Sequence, residues 1–193
     1  MTESATSLNR KRTAARITQC AQVLAEEWGL DGFTMDDLAE CAGVSRRTLF
    51  NYVDGKLDAV LGAPPGPDPA NLAAFRAGGP TGRLAEDVKA TIVAVLNRQD
   101  TAAEEYERVR RLIASEARLH KAMHDKFSRL AEFLAEAIVE REGARFDLLR
   151  ARAAATVTLS LFDLALEAFV ADPSASLAEH YVAVFDGAAA LFD

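Results

Sequence analysis

Thr34-Met-Asp-Asp-Leu-Ala-Glu-Cys-Ala-Gly-Val-Ser-Arg-Arg-Thr-Leu-Phe-Asn-Tyr-Val-Asp-Gly-Lys56 reads as two short helices joined by a tight turn. Thr34 suits an N-cap, and Asp36 and Asp37 suit the positive end of the first helix dipole. Leu38, Ala39 and Ala42 supply an apolar stripe, and Gly43 can take the left-handed conformation that ends a helix. Val44 then plugs the motif, and Ser45 caps the second helix, expected from Arg46 to Tyr52. There the apolar positions are Leu49 and Phe50, with Val53 one turn beyond Leu49. A helix-turn-helix commonly lays its second helix in the DNA major groove.

That second helix opens with two arginines and carries no acid. Arg46 and Arg47 are the candidates for base reading, because a guanidinium can grip guanine O6 and N7 together. Thr34, Ser45, Thr48, Asn51, Tyr52 and Lys56 are candidates for phosphate contacts that set register. Phe50 offers a ring to pack on a thymine methyl.

The segment from Arg16 to Lys56 resembles the N-terminal domain of the tetracycline-repressor (TetR) family of bacterial transcription regulators. Arg16-x3-Cys20-Ala21-x2-Leu24 is similar to that family's first helix. Gly32-Phe33-Thr34-x3-Leu38-Ala39-x2-Ala42-Gly43-Val44-Ser45 resembles its second helix and turn, and Thr48-Leu49-Phe50-x-Tyr52 with Lys56 its recognition helix and the start of its fourth. Two positions depart from the family: Arg47 stands where Gly is frequent, and Phe50 where Tyr is common. The resemblance implies an all-α chain with a three-helix helix-turn-helix domain and a larger helical domain for ligand binding and dimerisation. It also implies double-stranded DNA with a palindromic operator as partner, a homodimer, and a small-molecule effector that releases a repressor. A regulator controlled by a protein partner or a metal is the alternative.

The net charge of −7 has the wrong sign for a general nucleic-acid binder, and residues 1–62 hold seven Lys or Arg against nine Asp or Glu. Placement matters more than the sum. Acidic surroundings suppress loose binding and leave selective contacts in charge. Residues 1–15 read as a flexible basic arm centred on Arg10-Lys11-Arg12, 16–62 as the DNA-binding domain, and 63–80 as a Pro/Gly-rich connector with a short helix from Ala70 to Ala77. Residues 81–193 read as helical throughout, with capping boxes at Thr101-x-x-Glu104 and Ser176-x-x-Glu179.

Within the C-terminal part, the stretch around Ala153–Ala171 is apolar nearly all round, so it predicts burial on more than one side. Candidate dimer residues are Leu159, Phe162, Leu166, Phe169, Tyr181, Val184, Phe185 and Ala188. Candidate effector contacts are Phe75, Val109, Ile113, Met123, Phe127, Thr156 and Ser160. Arg152, Asp163 and Glu167 interrupt the apolar run and argue against a membrane span, and a cytoplasmic location is expected. Two cysteines make no disulfide framework: Cys20 reads as core and Cys41 as accessible. Glu116, His120 and His124 share a helical face, yet sit in a charged surface stretch, so neither metal nor other cofactor is expected. No nucleophile arrangement points to catalysis.

Overall fold

The computed structural model describes residues 5–63, 66–99 and 102–191, with side chains from Asn9 onward. The head begins with α1 (Ala5–Trp28), followed by α2 (Met35–Cys41), α3 (Arg46–Leu49) and α4 (Lys56–Leu61). Helix α1 starts before the expected boundary at residue 16. No Gly or Pro interrupts it, and its Ala, Arg and Lys residues favour helix. Arg10, Lys11 and Arg12 therefore stand on a helix and not on a separate arm.

Local chemistry explains the motif. Thr34 caps α2 reciprocally: the Asp37 N–H donates to Thr34 Oγ1 at 3.2 Å, and the Thr34 N–H donates to Asp37 Oδ2 at 2.7 Å. Gly43 takes φ 61° beyond the C-terminus of α2, where a Cβ would be strained. The Thr48 N–H donates to Ser45 Oγ at 3.0 Å, which fixes the start of α3. That helix has only four residues before it loosens into turns, so Phe50, Asn51 and Tyr52 lie past its regular part.

Contacts divide the chain into two compact units. The first is the head together with Glu107–His124, which falls inside the 81–193 domain expected from sequence. These residues belong to α7 (Ala103–Ser115) and α8 (Ala117–Glu142). Leu112 and Leu119 complete the head's core with Ile17, Phe33, Leu38, Leu49 and Val60. Each large side chain so buried contributes about 1.5–3 kcal/mol. Ion pairs reinforce the attachment. Arg108 and Arg111 both bind Glu26 at 3.0 Å, and Arg118 forks onto Asp31 at 2.9 and 3.0 Å. Hydrogen bonding from Arg111 first, then the charge of Arg108, holds the Glu26 carboxyl below its usual range. Hydrogen bonding from Arg118 does the same for Asp31. A sequence signal existed: α1 ends on Glu26 and Glu27, acids at the negative end of a helix dipole, which need cations from elsewhere.

The two cysteines, expected as a core and an accessible thiol, are paired. Cys20 of α1 and Cys41 at the end of α2 are joined by a disulfide, their Cα atoms 5.9 Å apart. Cys20 is half-buried against the head's core, and Cys41 is exposed.

The second unit contains α5 (Pro69–Arg76), α6 (Leu84–Leu96), α9 (Leu148–Ala171) and α10 (Leu177–Ala189), with the ends of α7 and α8 that lie outside the head. Asp68 caps α5, and Pro69 occupies its first turn, where a missing N–H costs nothing. The Ser176/Glu179 capping box forms at α10. Its expected counterpart at Thr101 lies outside the described residues. All regular structure among the described residues is helical.

Two apolar clusters hold this unit. One surrounds Phe75, Val88, Ile138 and Ala155, and the other surrounds Leu96, Phe169, Tyr181 and Phe185. Beside the first lies an ion pair that sequence reasoning missed. Arg141 and Asp87 are almost wholly buried, 2% and 0% exposed at their side chains, and bonded to each other.

Candidate nucleic-acid interface

The head's exposed face is assembled around α3. Leu49 is fully buried and anchors the helix, so its neighbours are forced outward. Arg46, Arg47, Phe50 and Asn51 are exposed, with Phe50 at 47%. Thr48 and Tyr52 are half-buried. Asn9, Arg10 and Thr13 of α1 join Thr48, Asn51 and Tyr52 in lining an open groove of about 490 Å³. The Arg10 guanidinium lies 5.8 Å from the centre of the Tyr52 ring, a cation–π arrangement that positions it along this groove. Hydroxyl, amide and guanidinium groups along an open channel suit a phosphate backbone.

The two arginines of α3 differ. Arg46 Nη1 donates to Asp36 Oδ2 at 2.7 Å, and its guanidinium sits 5.7 Å from the Phe50 ring centre. Its charge is already matched within the head. Arg47 is exposed and makes no ion pair among the described residues. Asp36, read from sequence as a helix-dipole acid, thus also has a tertiary partner ten residues away.

The remaining candidates are occupied by local work. Thr34 and Ser45 serve as caps; Ser45 Oγ lies 2.8 Å from Thr48 Oγ1. Lys56 is half-buried: its ammonium donates to the Leu30 carbonyl at 2.7 Å and sits 4.7 Å from the Phe33 ring centre. It ties the start of α4 to the loop before α2.

The candidate effector residues are divided between the two units. Val109, Ile113 and Met123 belong to the first unit, whereas Phe75, Phe127, Thr156 and Ser160 belong to the second. Phe75 is core, under the Arg141 guanidinium at 4.9 Å. Phe127 packs on Phe162 with ring centres 6.4 Å apart. Thr156 and Ser160 are exposed, the Ser160 hydroxyl donating to the Thr156 carbonyl at 3.0 Å. Of the candidate dimer residues, Leu159, Phe169, Tyr181 and Phe185 are buried inside the protomer. Phe162, Leu166 and Val184 pack partly buried against the same core, and Ala188 is half-buried. Glu116 is bonded to Arg118, and no group of three metal-ligating side chains occurs among the described residues.

Tyr181 stands out within that core. Its hydroxyl is buried without a hydrogen-bond partner among the described residues, and burial pushes its pKa up. An unsatisfied buried hydroxyl costs about 1–3 kcal/mol. Tyr181→Phe should therefore raise the melting temperature in a thermal scan. A lower melting temperature would mean that the hydroxyl has a partner in solution.

Residues 83–193, more than half of the chain, match the family model described as the MftR C-terminal domain, a C-terminal domain of TetR-type regulators. The chain belongs to the TetR family of transcriptional regulators. This match lies wholly outside the Arg16–Lys56 segment, so the two halves of the chain point to the same family independently. A search of curated proteins found no match.

Proposed function

We propose that this TetR-family protein is a homodimeric, sequence-specific repressor, released from a palindromic operator by a small hydrophobic or amphipathic effector. The observation that carries the DNA reading is the α3 face. A buried Leu49 holds Arg46, Arg47, Phe50 and Asn51 outward beside a polar groove that Arg10 and Thr13 extend. Arg47 reads a base edge, and the groove takes the backbone. Arg46 is held in reserve by Asp36 and changes partner only when a correctly placed acceptor competes.

Dimerisation is supported by α9, which has three distinct faces. Ala151, Ala155, Thr158, Ala165 and Phe169 are buried in the protomer. Arg152, Thr156, Ser160, Asp163 and Glu167 form an exposed polar stripe. Between them, Ala153, Val157, Leu164 and Ala171 leave an apolar stripe uncovered, with Val157 at 55% and Leu164 at 52% exposed. By length and composition this helix could cross a membrane, with 22% of its most apolar window buried. A polar stripe along its whole length, including two acids, argues for a protein partner instead. On α10, Gly187 faces open space, and nothing in the protomer requires its small size. A mid-helix glycine costs about 1 kcal/mol relative to alanine, which close approach of a second helix would offset. Two-fold pairing of α9 and α10 gives a four-helix bundle and two recognition elements. The effector reading rests on family membership, carried by the match over residues 83–193.

The test is fluorescence anisotropy on DNA from upstream of the protein's own gene, against scrambled DNA, over a salt series. Arg47→Ala should cost about 1–3 kcal/mol on the operator and relax selectivity at one base position. Asp36→Asn should do the opposite to scrambled DNA. Freeing Arg46 tightens non-specific binding and steepens the log–log salt slope by about one. Equal losses on both DNAs for Arg47→Ala would assign it to phosphate and remove it from base reading.

A further inference from the structure

We infer that Cys20 and Cys41 form a reversible dithiol–disulfide pair through which small-molecule disulfides tune operator binding. The inference rests on the DNA-binding reading above for its output, and on the head's geometry for its chemistry. These are the chain's only two cysteines, 21 residues apart in sequence, and the fold brings them together. Their Cα separation of 5.9 Å lies in the range a disulfide bridges without backbone movement. Cys41 is exposed and open to a small reagent, while Cys20 is half-buried directly beneath it against the core. That asymmetry assigns the attacking thiol to Cys41 and the resolving thiol to Cys20.

The step balances. The Cys41 thiolate attacks one sulfur of a low-molecular-weight disulfide, forming a mixed disulfide and expelling one thiolate. The Cys20 thiolate then attacks the Cys41 sulfur, closes the intramolecular S–S bond and expels the second thiolate. Two electrons pass from the protein to the small disulfide, and the two cysteine protons end on the released thiols. A protein that meets operator DNA works where thiol pools keep such pairs reduced, and disulfides in that setting are usually transient and redox-sensing. The pair is therefore one that closes under oxidative load and reopens afterwards.

Its position gives the bond an output. Cys41 is the last residue of α2, immediately before the Ala42–Ser45 turn that aims Arg46 and Arg47. Closing the bond staples that turn to α1, the helix that supplies Arg10 and Thr13 to the same groove. The head also has an apolar core of its own, in which Ile17, Leu38 and Leu49 are fully buried. Oxidation removes freedom between α1 and α2 that binding would otherwise have to freeze. Operator affinity is higher in the disulfide form.

The experiment poises the full-length protein against graded ratios of reduced and oxidised glutathione. Free thiols are counted by maleimide–polyethylene glycol gel shift, melting temperature is recorded, and anisotropy is measured on the operator fragment in the same samples. The expected result is one transition from two free thiols to none, a melting temperature several degrees higher when oxidised, and severalfold tighter operator binding along the same curve. Cys41→Ser and Cys20→Ala should each leave affinity flat across the series. Two free thiols at the most oxidising ratio would overturn the pair, as would an unchanged redox response in both variants. Equal or weaker operator binding in the oxidised form would overturn the output. A clean two-thiol transition with no DNA binding in either state would support the pair and sink the operator reading instead.

Discussion

Replacing Arg141 with alanine should lower the stability of the C-terminal unit by about 3–5 kcal/mol, the usual cost of stripping one partner from a buried ion pair. The Arg141 side chain is 2% exposed, and its donors are committed. Nη1 donates to the carbonyls of Phe75 at 2.8 Å and Gly79 at 3.0 Å, Nη2 donates to Gly78 at 3.1 Å and to Asp87, and Nε donates to Glu142 at 2.9 Å. The three carbonyls lie at and just beyond the end of α5, where a helix has acceptors with no partner of its own. Asp87 is filled from the other side by the Thr81 N–H and hydroxyl, each at 2.7 Å, and by the Gly82 N–H at 3.1 Å. Alanine would leave a carboxylate buried without its cation and the Gly78 and Gly79 carbonyls without this donor, while the Phe75 carbonyl keeps the Gly78 N–H at 3.0 Å. Urea denaturation measures the loss; a change under about 1 kcal/mol would show that water or rearrangement replaces the guanidinium.

The same node sets an acid limit. Burial by itself would raise the Asp87 pKa, but hydrogen bonds from Thr81 and then Arg141 outweigh it and hold the carboxyl below its ordinary value of 3.8. A carboxyl depressed on folding contributes stability that is complete above the unfolded value and fades as pH falls through the folded one. The unit should therefore keep its stability down to about pH 4 and lose it steeply below. Asp87→Asn should flatten that acid limb in the urea series.

Leu164→Arg should convert the proposed dimer to monomer and reduce operator affinity by well over tenfold. Leu164 sits mid-way along the uncovered apolar stripe of α9, 52% exposed in the protomer. Two-fold symmetry places every interface change twice. Each lost leucine removes about 1.5–3 kcal/mol of burial, and an unpaired guanidinium in its place adds a desolvation cost. A monomer retains one recognition element and reads one half-site. Sedimentation or light scattering reports the mass, and anisotropy on the operator reports the consequence. Asp163→Lys, one residue away on the solvated stripe, should leave the mass unchanged. If Leu164→Arg stayed dimeric while Asp163→Lys dissociated, the assignment of the two stripes would be reversed.

What could be read from the sequence was local. Thr34 with Asp37, Ser45 with Thr48 and Ser176 with Glu179 make bonds between residues three apart, so helix starts were visible in the order of residues. Gly43 was legible for the same reason, since only the chain's own path demands its φ. The exposed arginines of α3 followed from the burial of Leu49, one residue in the same turn.

Longer-range pairings were settled by packing alone. Arg141 and Asp87 stand 54 positions apart, Glu26 and Arg111 stand 85 apart, and Cys41 meets Cys20 on another helix. No periodicity connects such pairs, because which cation reaches which acid depends on how helices stack. Helix α9 separates the two kinds of knowledge. Its composition determined that more than one side wants to leave water, but composition is shared by every face. Only the packing of α9 on its own unit decided that Leu159 and Phe169 turn inward, while Val157 and Leu164 remain uncovered. Burial belongs to a face, and a face exists only once a helix has a neighbour.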